Sequence, residues 1–145
     1  MTGFRLVVSD FDGTWTDVEA EGVPFWPYYF TSLADFLGRS KDDILRQAGR
    51  LERTALAQPI DHPFIVGGHV VAPGTVDPYL RARSAAQRIL QSAGQAFDDA
   101  EALKLLNRLH GENYPRTWTI FRSDAIATLR ALLDVAVCFV SNSDT

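Results

Sequence analysis

Two short apolar runs lie near opposite ends of this 145-residue chain, and each stops at small polar residues. The first is Phe4-Arg5-Leu6-Val7-Val8-Ser9, followed by Asp10-Phe11-Asp12-Gly13-Thr14. The second is Val135-Ala136-Val137-Cys138-Phe139-Val140, followed by Ser141-Asn142-Ser143. Such short, valine-rich runs read as buried strands of a parallel sheet. Before the second run, Ser123 can cap a helix that places Ile126, Leu129, Leu132 and Leu133 on one face. Strand, helix and strand, each strand closed by small polar residues, is the pattern of an α/β sheet. Ligands bind such sheets at the carboxyl ends of the strands. Asp10 and Ser141 both stand at such ends, so the two polar clusters are expected to meet.

The intervening residues read as helical. The aromatic stretch Phe25-Trp26-Pro27-Tyr28-Tyr29-Phe30 is expected to begin a helix reaching Leu37, with Gly38 as its stop. Lys41 to Ala57 carries Ile44, Leu45, Ala48, Leu51 and Leu56 at helical spacing, and Ser40 with Asp43 forms an acid-ended capping box. Asp77 to Ser92 carries Leu80, Ala86, Ile89 and Leu90 on one face, with Gly94 as stop. Asp98 to His110 is capped by Asp98 and Glu101 and is expected to end at Gly111. The Pro- and Gly-rich segment Gln58 to Gly74 reads as a long loop. The organisation expected is an α/β core of residues 1–17 and 118–145, with a helical subdomain of residues 18–117 inserted between its strands.

A net charge of -4 argues against a nucleic-acid footprint, which needs a clustered basic face. Arg81, Arg83 and Arg88 sit at helical spacing among alanines and read as a solvated face. The single cysteine, Cys138, excludes an internal disulfide and favours a reducing, cytoplasmic setting. Within its apolar run it reads as a buried small residue rather than a nucleophile. No stretch approaches the roughly 18 apolar residues of a membrane span, and no secretory signal is visible at the N-terminus.

Two carboxylates at the end of a buried strand are costly unless something neutralises them. A divalent cation does so, and magnesium prefers one or two carboxylates, waters and a phosphate oxygen. Asp10 can then attack phosphorus to form an aspartyl-phosphate. Asp12 can protonate the leaving oxygen and later deprotonate water, which requires the two acids to hold different pKa values. Gly13 allows close backbone approach to a phosphate, and Thr14 adds a hydroxyl. The plainer alternative is a turn signal after a strand. A calcium loop counted from Asp10 would reach Glu21 at its twelfth position, but Trp15 stands where that loop needs glycine and no helix precedes it.

Asp10-Phe11-Asp12-Gly13-Thr14-Trp15-Thr16-Asp17 resembles the first motif of the haloacid dehalogenase (HAD) superfamily, with Trp15 where an aliphatic residue is usual. Val140-Ser141-Asn142-Ser143 resembles its second motif, and the helices between resemble its helical cap. The resemblance implies a HAD-like Rossmannoid parallel sheet, incomplete in this chain, with an inserted α-helical cap. It implies a Mg2+-dependent phosphatase acting on a small phosphorylated metabolite. Asp10 would be the nucleophile, Asp12 the acid/base, and both would hold the metal. Gly13, Thr14, Ser141 and Asn142 would bind phosphate. Phe25, Trp26, Tyr28 and Tyr29 are candidates to contact substrate from the cap, although aromatics at this density are more often core. His62 and His69 flank a glycine-rich loop and could reach a ligand, while His110 suits a helix end.

The family's third-motif lysine and fourth-motif acidic pair follow the second motif and have no counterpart in these residues. Lys41 and Lys104 lie in the helical subdomain. Phosphate-monoester hydrolysis needs accelerations of up to ~10²¹, and one missing charge-stabilising donor typically costs ~10²–10³. The expectation is therefore of a fragment of a longer protein, one half of a split enzyme, or a domain-swapped molecule. The alternatives in function are a non-catalytic HAD-like binding or scaffold module, and a phosphotransferase or phosphomutase.

Overall fold

The computed structural model describes residues 6–93 and 99–141. The protein is a mixed α/β structure that divides into two compact units. The first is formed by the chain up to Glu21 together with the chain from Thr119 onward, and the second is Gly22–Trp118. The sequence placed the first boundary after residue 17, so the chain leaves the first unit four residues further on, inside a helix.

In the first unit, β1 (Leu6–Asp10) pairs in parallel with β4 (Ala136–Val140). The register runs from Leu6↔Ala136 to Asp10↔Val140. Paired residues share a face, so Leu6 and Val8 stand beside Ala136, Cys138 and Val140. That face is bare among the described residues: Leu6 is 50%, Val8 63% and Val140 53% exposed. Both strands were expected to be buried, and Cys138 with them. Cys138 is instead exposed, because only the opposite face gathers aromatic cover from Phe11 and Trp15 against Phe139. The helix before β4, α5 (Ala125–Ala131), buries Ala125 alone. Ile126 and Leu133, expected on an inward face, are 51% and 81% exposed. Its cap position is Asp124 rather than Ser123, and that side chain makes no capping bond; it pairs with Arg122.

The second unit is built on α1 (Val18–Leu37), α2 (Lys41–Ala57), α3 (Pro78–Ser92) and α4 (Asp99–Asn113). Helix α1 begins seven residues before the expected start, because Asp17 caps it by accepting from the Ala20 amide at 3.0 Å. Pro24 and Pro27 lie inside it. Proline there removes a hydrogen bond and crowds the preceding turn. The helix persists because Phe25, Tyr29, Phe30, Leu33 and Ala34 are fully buried against the other helices, and packing outweighs propensity. Small residues on α3, namely Ala82, Ala85 and Ala86, are buried in the same core. Asp77 caps α3 twice, accepting from the Tyr79 and Leu80 amides at 2.9 Å each.

Three expectations change here. The segment Gln58 to Gly74 contains a hairpin, β2 (Phe64–Val66) antiparallel to β3 (His69–Ala72). Its connection is Gly67-Gly68, with φ of +57° and +77°, the left-handed pair that a tight two-residue turn requires. Ser40 makes no side-chain capping bond, and the Asp43 carboxylate pairs with Arg46 rather than reaching back to the cap. Helix α4 continues through Gly111 to Asn113, where the buried Asn113 side chain donates to the Leu109 carbonyl at 2.8 Å. Gly94 and Asp98, expected as stop and cap, lie outside the described residues.

Candidate active site

The candidate site is the loop between β1 and α1 and the end of β4, all within the first unit. The parallel ladder continues one step past β1, where the Phe11 amide donates to the Val140 carbonyl at 3.0 Å. That bond holds the loop beside the residue following β4. As a result the Ser141 hydroxyl donates to Asp12 Oδ2 at 2.6 Å. The two polar clusters, 129 residues apart in sequence, therefore meet. A short hydroxyl–carboxylate contact of this kind is charge-assisted.

The loop's shape follows from four residues. Gly13 has φ of +76°, a conformation that other residues rarely adopt. Its amide donates to Thr16 Oγ1 at 3.1 Å. The Trp15 amide donates to the Phe11 carbonyl at 3.0 Å. The Trp15 indole packs edge-on against Phe139 with centroids 5.5 Å apart and donates through Nε1 to Ser9 Oγ at 2.7 Å. Trp15 is buried, so it is an internal brace of the loop. Asp10 and Thr14 are exposed, and Asp12 is half-buried. Asn142, expected to bind phosphate with Ser141, lies outside the described residues.

One buried acid escaped the sequence reading except as a numerical coincidence. Glu21 is 6% exposed, and its Oε1 accepts from the Ile120 amide at 2.8 Å. Burial pushes its carboxyl above the usual range; the Ile120 bond opposes this, while the charges of Asp12 and Asp17 reinforce it. Its bonded oxygen thus serves the protein backbone, unlike the cation ligand of a calcium loop. The signal in sequence was an acid in the first turn of a helix that begins at Val18; that start was itself missed.

The cap candidates separate by burial. Phe25 and Tyr29 are fully buried, with stacked rings 5.1 Å apart, and they belong to the core of the second unit. Trp26 is partly buried against that core. Tyr28 is half-buried beneath the Arg116 guanidinium, 4.0 Å from its ring centroid. His110 stacks on Tyr114, His69 is exposed on β3, and His62 is half-buried.

For a metal, the donor set in the first unit is the Asp10 and Asp12 carboxylates and neighbouring hydroxyls. No group of three His, Cys, Asp or Glu side chains that could hold a metal occurs among the described residues. Two carboxylates at the mouth of a loop nevertheless fit magnesium, which keeps several waters and takes a substrate oxygen. Lys41 and Lys104 are the only lysines, and both lie in the second unit. No helix among the described residues is long and apolar enough to cross a membrane. Searches against known families and curated proteins give no match to the chain.

Proposed function

We propose that the protein is a HAD-like phosphoric-monoester hydrolase acting on a small phosphorylated metabolite. The observation that carries this reading is the Ser141–Asp12 hydrogen bond at 2.6 Å. It puts a hydroxyl donor and an acid/base candidate together at the ends of two paired parallel strands, where α/β sheets bind ligands. In the proposed chemistry, an Asp10 oxygen attacks phosphorus and the bond to the leaving alkoxide breaks. Asp12 gives its proton to that oxygen, releasing the alcohol. The Asp12 carboxylate then takes a proton from water, whose oxygen attacks phosphorus. The Asp10–phosphorus bond breaks, and inorganic phosphate leaves. With substrate bound, the Ser141 hydroxyl would turn its one proton from Asp12 to a non-bridging phosphoryl oxygen. Magnesium, held by the Asp10 carboxylate and waters beside Asp12, would neutralise charge on the phosphoryl group.

Full activity is proposed to require polypeptide that covers the bare face of the β1–β4 sheet and supplies an ammonium group. Parallel sheets are stable when both faces are covered. A second reading, a HAD-shaped binding module without turnover, is favoured by the absence of lysine from the first unit. The deciding experiment is phosphate release from an aryl phosphate with and without Mg2+, using the full chain and its Asp10→Asn variant. Slow, metal-dependent release abolished by the substitution is expected. Release that survives Asp10→Asn refutes the mechanism, and inorganic-phosphate binding without release in the wild type favours the binding module.

A further inference from the structure

The loop that carries Asp12 is clamped by the segment returning to the first unit. The Arg122 amide donates to the Trp15 carbonyl at 2.9 Å, and the Asp17 amide donates to the Ile120 carbonyl at 2.7 Å. These two bonds flank the antiparallel bridge Thr16↔Phe121. Phe121 adds a ring edge-on to Phe11, with centroids 6.2 Å apart. The reciprocal bond of the Asp17–Ile120 pair would have the Ile120 amide donate to the Asp17 carbonyl. That carbonyl is already committed to the first turn of α1, where it accepts from a helix amide. A side chain takes the rung instead, as Ile120 donates to the Glu21 carboxylate. Glu21 is tied to the same place by its own amide, which donates to the Asp17 carbonyl at 3.0 Å.

We propose that Glu21 is a positioning residue for the loop bearing Asp12, acting as a side-chain surrogate for a backbone carbonyl. Its carboxylate holds Ile120–Arg122 in register on Trp15–Asp17. Through the hydrogen bonds already described, Thr16 passes that register to Gly13 and Trp15 passes it to Phe11, the two residues that flank Asp12. The charge is not what the clamp uses; the acceptor oxygen is. The effect on rate rests on the phosphate-transfer reading, but the effect on the loop does not.

The test uses the full chain, labelled with nitrogen-15, in wild-type, Glu21→Ala and Glu21→Gln forms. The Trp15 indole signal is identified by its loss in Trp15→Phe. In the wild type the Ile120 and Gly13 amides are expected to be protected from exchange. Glu21→Ala is expected to speed exchange at both by about tenfold or more, as loss of a bond worth ~1.4 kcal/mol would, and to shift the Trp15 indole. Glu21→Gln keeps an acceptor oxygen and is expected to restore both signals. Glu21→Ala leaving Gly13 and Trp15 unchanged overturns the proposal, as does failure of Glu21→Gln to restore them. Should Glu21→Ala not fold, the wild type and Glu21→Gln still decide: an unprotected Ile120 amide in either overturns it. Where phosphate release is measurable, Glu21→Ala should lower kcat with little change in KM. Exchange results as expected without any phosphate release would refute the catalytic reading and leave the clamp standing.

Discussion

Gly22 and Gly49 both lie inside helices, yet replacing each by alanine should move stability in opposite directions. Gly22 is buried in α1, and a Cβ there would lie 2.4 Å from Pro78 Cβ and 2.6 Å from its Cγ. Carbon atoms rest at ~3.5–4.0 Å, so the neighbour would have to retreat by about an ångström. Pro78 cannot turn aside, because its ring is fixed at the start of α3 beside the Asp77 cap. Overpacking of this kind costs ~1–3 kcal/mol, and the ~1 kcal/mol gained from helix propensity offsets only part of it. A net loss of up to ~2 kcal/mol is expected for Gly22→Ala. A Cβ on Gly49 in α2 would meet only Arg53 Nη1 at 3.5 Å, an ordinary contact with a flexible side chain. Gly49→Ala should therefore gain ~0.8–1 kcal/mol. Urea denaturation followed by far-UV circular dichroism reads the helices directly, and the two variants should straddle the wild type. A Gly22→Ala protein as stable as the wild type would refute the close approach of α1 and α3, and a destabilised Gly49→Ala would refute the openness of α2.

Other substitutions probe single contacts. Asp77→Ala removes two capping bonds and should cost ~1 kcal/mol, whereas Ser40→Ala, which removes no capping bond, should leave the urea midpoint nearly unchanged. The Tyr29 hydroxyl is buried without a hydrogen-bond partner, and burial raises its pKa far above the ordinary tyrosine range, against a smaller lowering by Arg83. Tyr29→Phe removes an uncompensated polar atom and should raise stability by up to ~1 kcal/mol; a loss of stability would mean that the hydroxyl is satisfied. Glu21 has a raised carboxyl pKa, chiefly from burial, so the folded state binds its proton more tightly than the unfolded chain does. Its contribution is therefore fully present below the ordinary carboxyl pKa and is lost as pH rises through the raised value. The stability of Glu21→Gln relative to wild type should grow across that window, as read from urea midpoints in a pH series, and a flat difference would refute the shift.

What the sequence made legible were features with a local cause. The valine-rich runs ending at Asp10 and Ser141 are paired parallel strands because β-branched residues and polar stops act within a few residues. Asp77 before Pro78 marked the start of α3 for the same reason. The start of α1 was hidden because Gly22, Pro24 and Pro27 all argue against a helix locally, while the burial that overrides them comes from residues distant in sequence. The β2–β3 hairpin was obscured by the prolines and glycines around it, although Gly67-Gly68 between Val66 and His69 is itself a hairpin signal. Glu21 is the instructive case for the candidate site. Its neighbours in sequence say only that an acid sits early in a helix, and its partner is a backbone amide 99 residues away. A pattern of side-chain types cannot show that a carboxylate is standing in for a carbonyl, because backbone donors carry no residue identity. The loop's candidate residues, Asp10 and Asp12, could therefore be read from one short string. The means of holding them depends on Ile120 and Arg122, whose contribution is made by main-chain atoms that any other residue except proline would also carry.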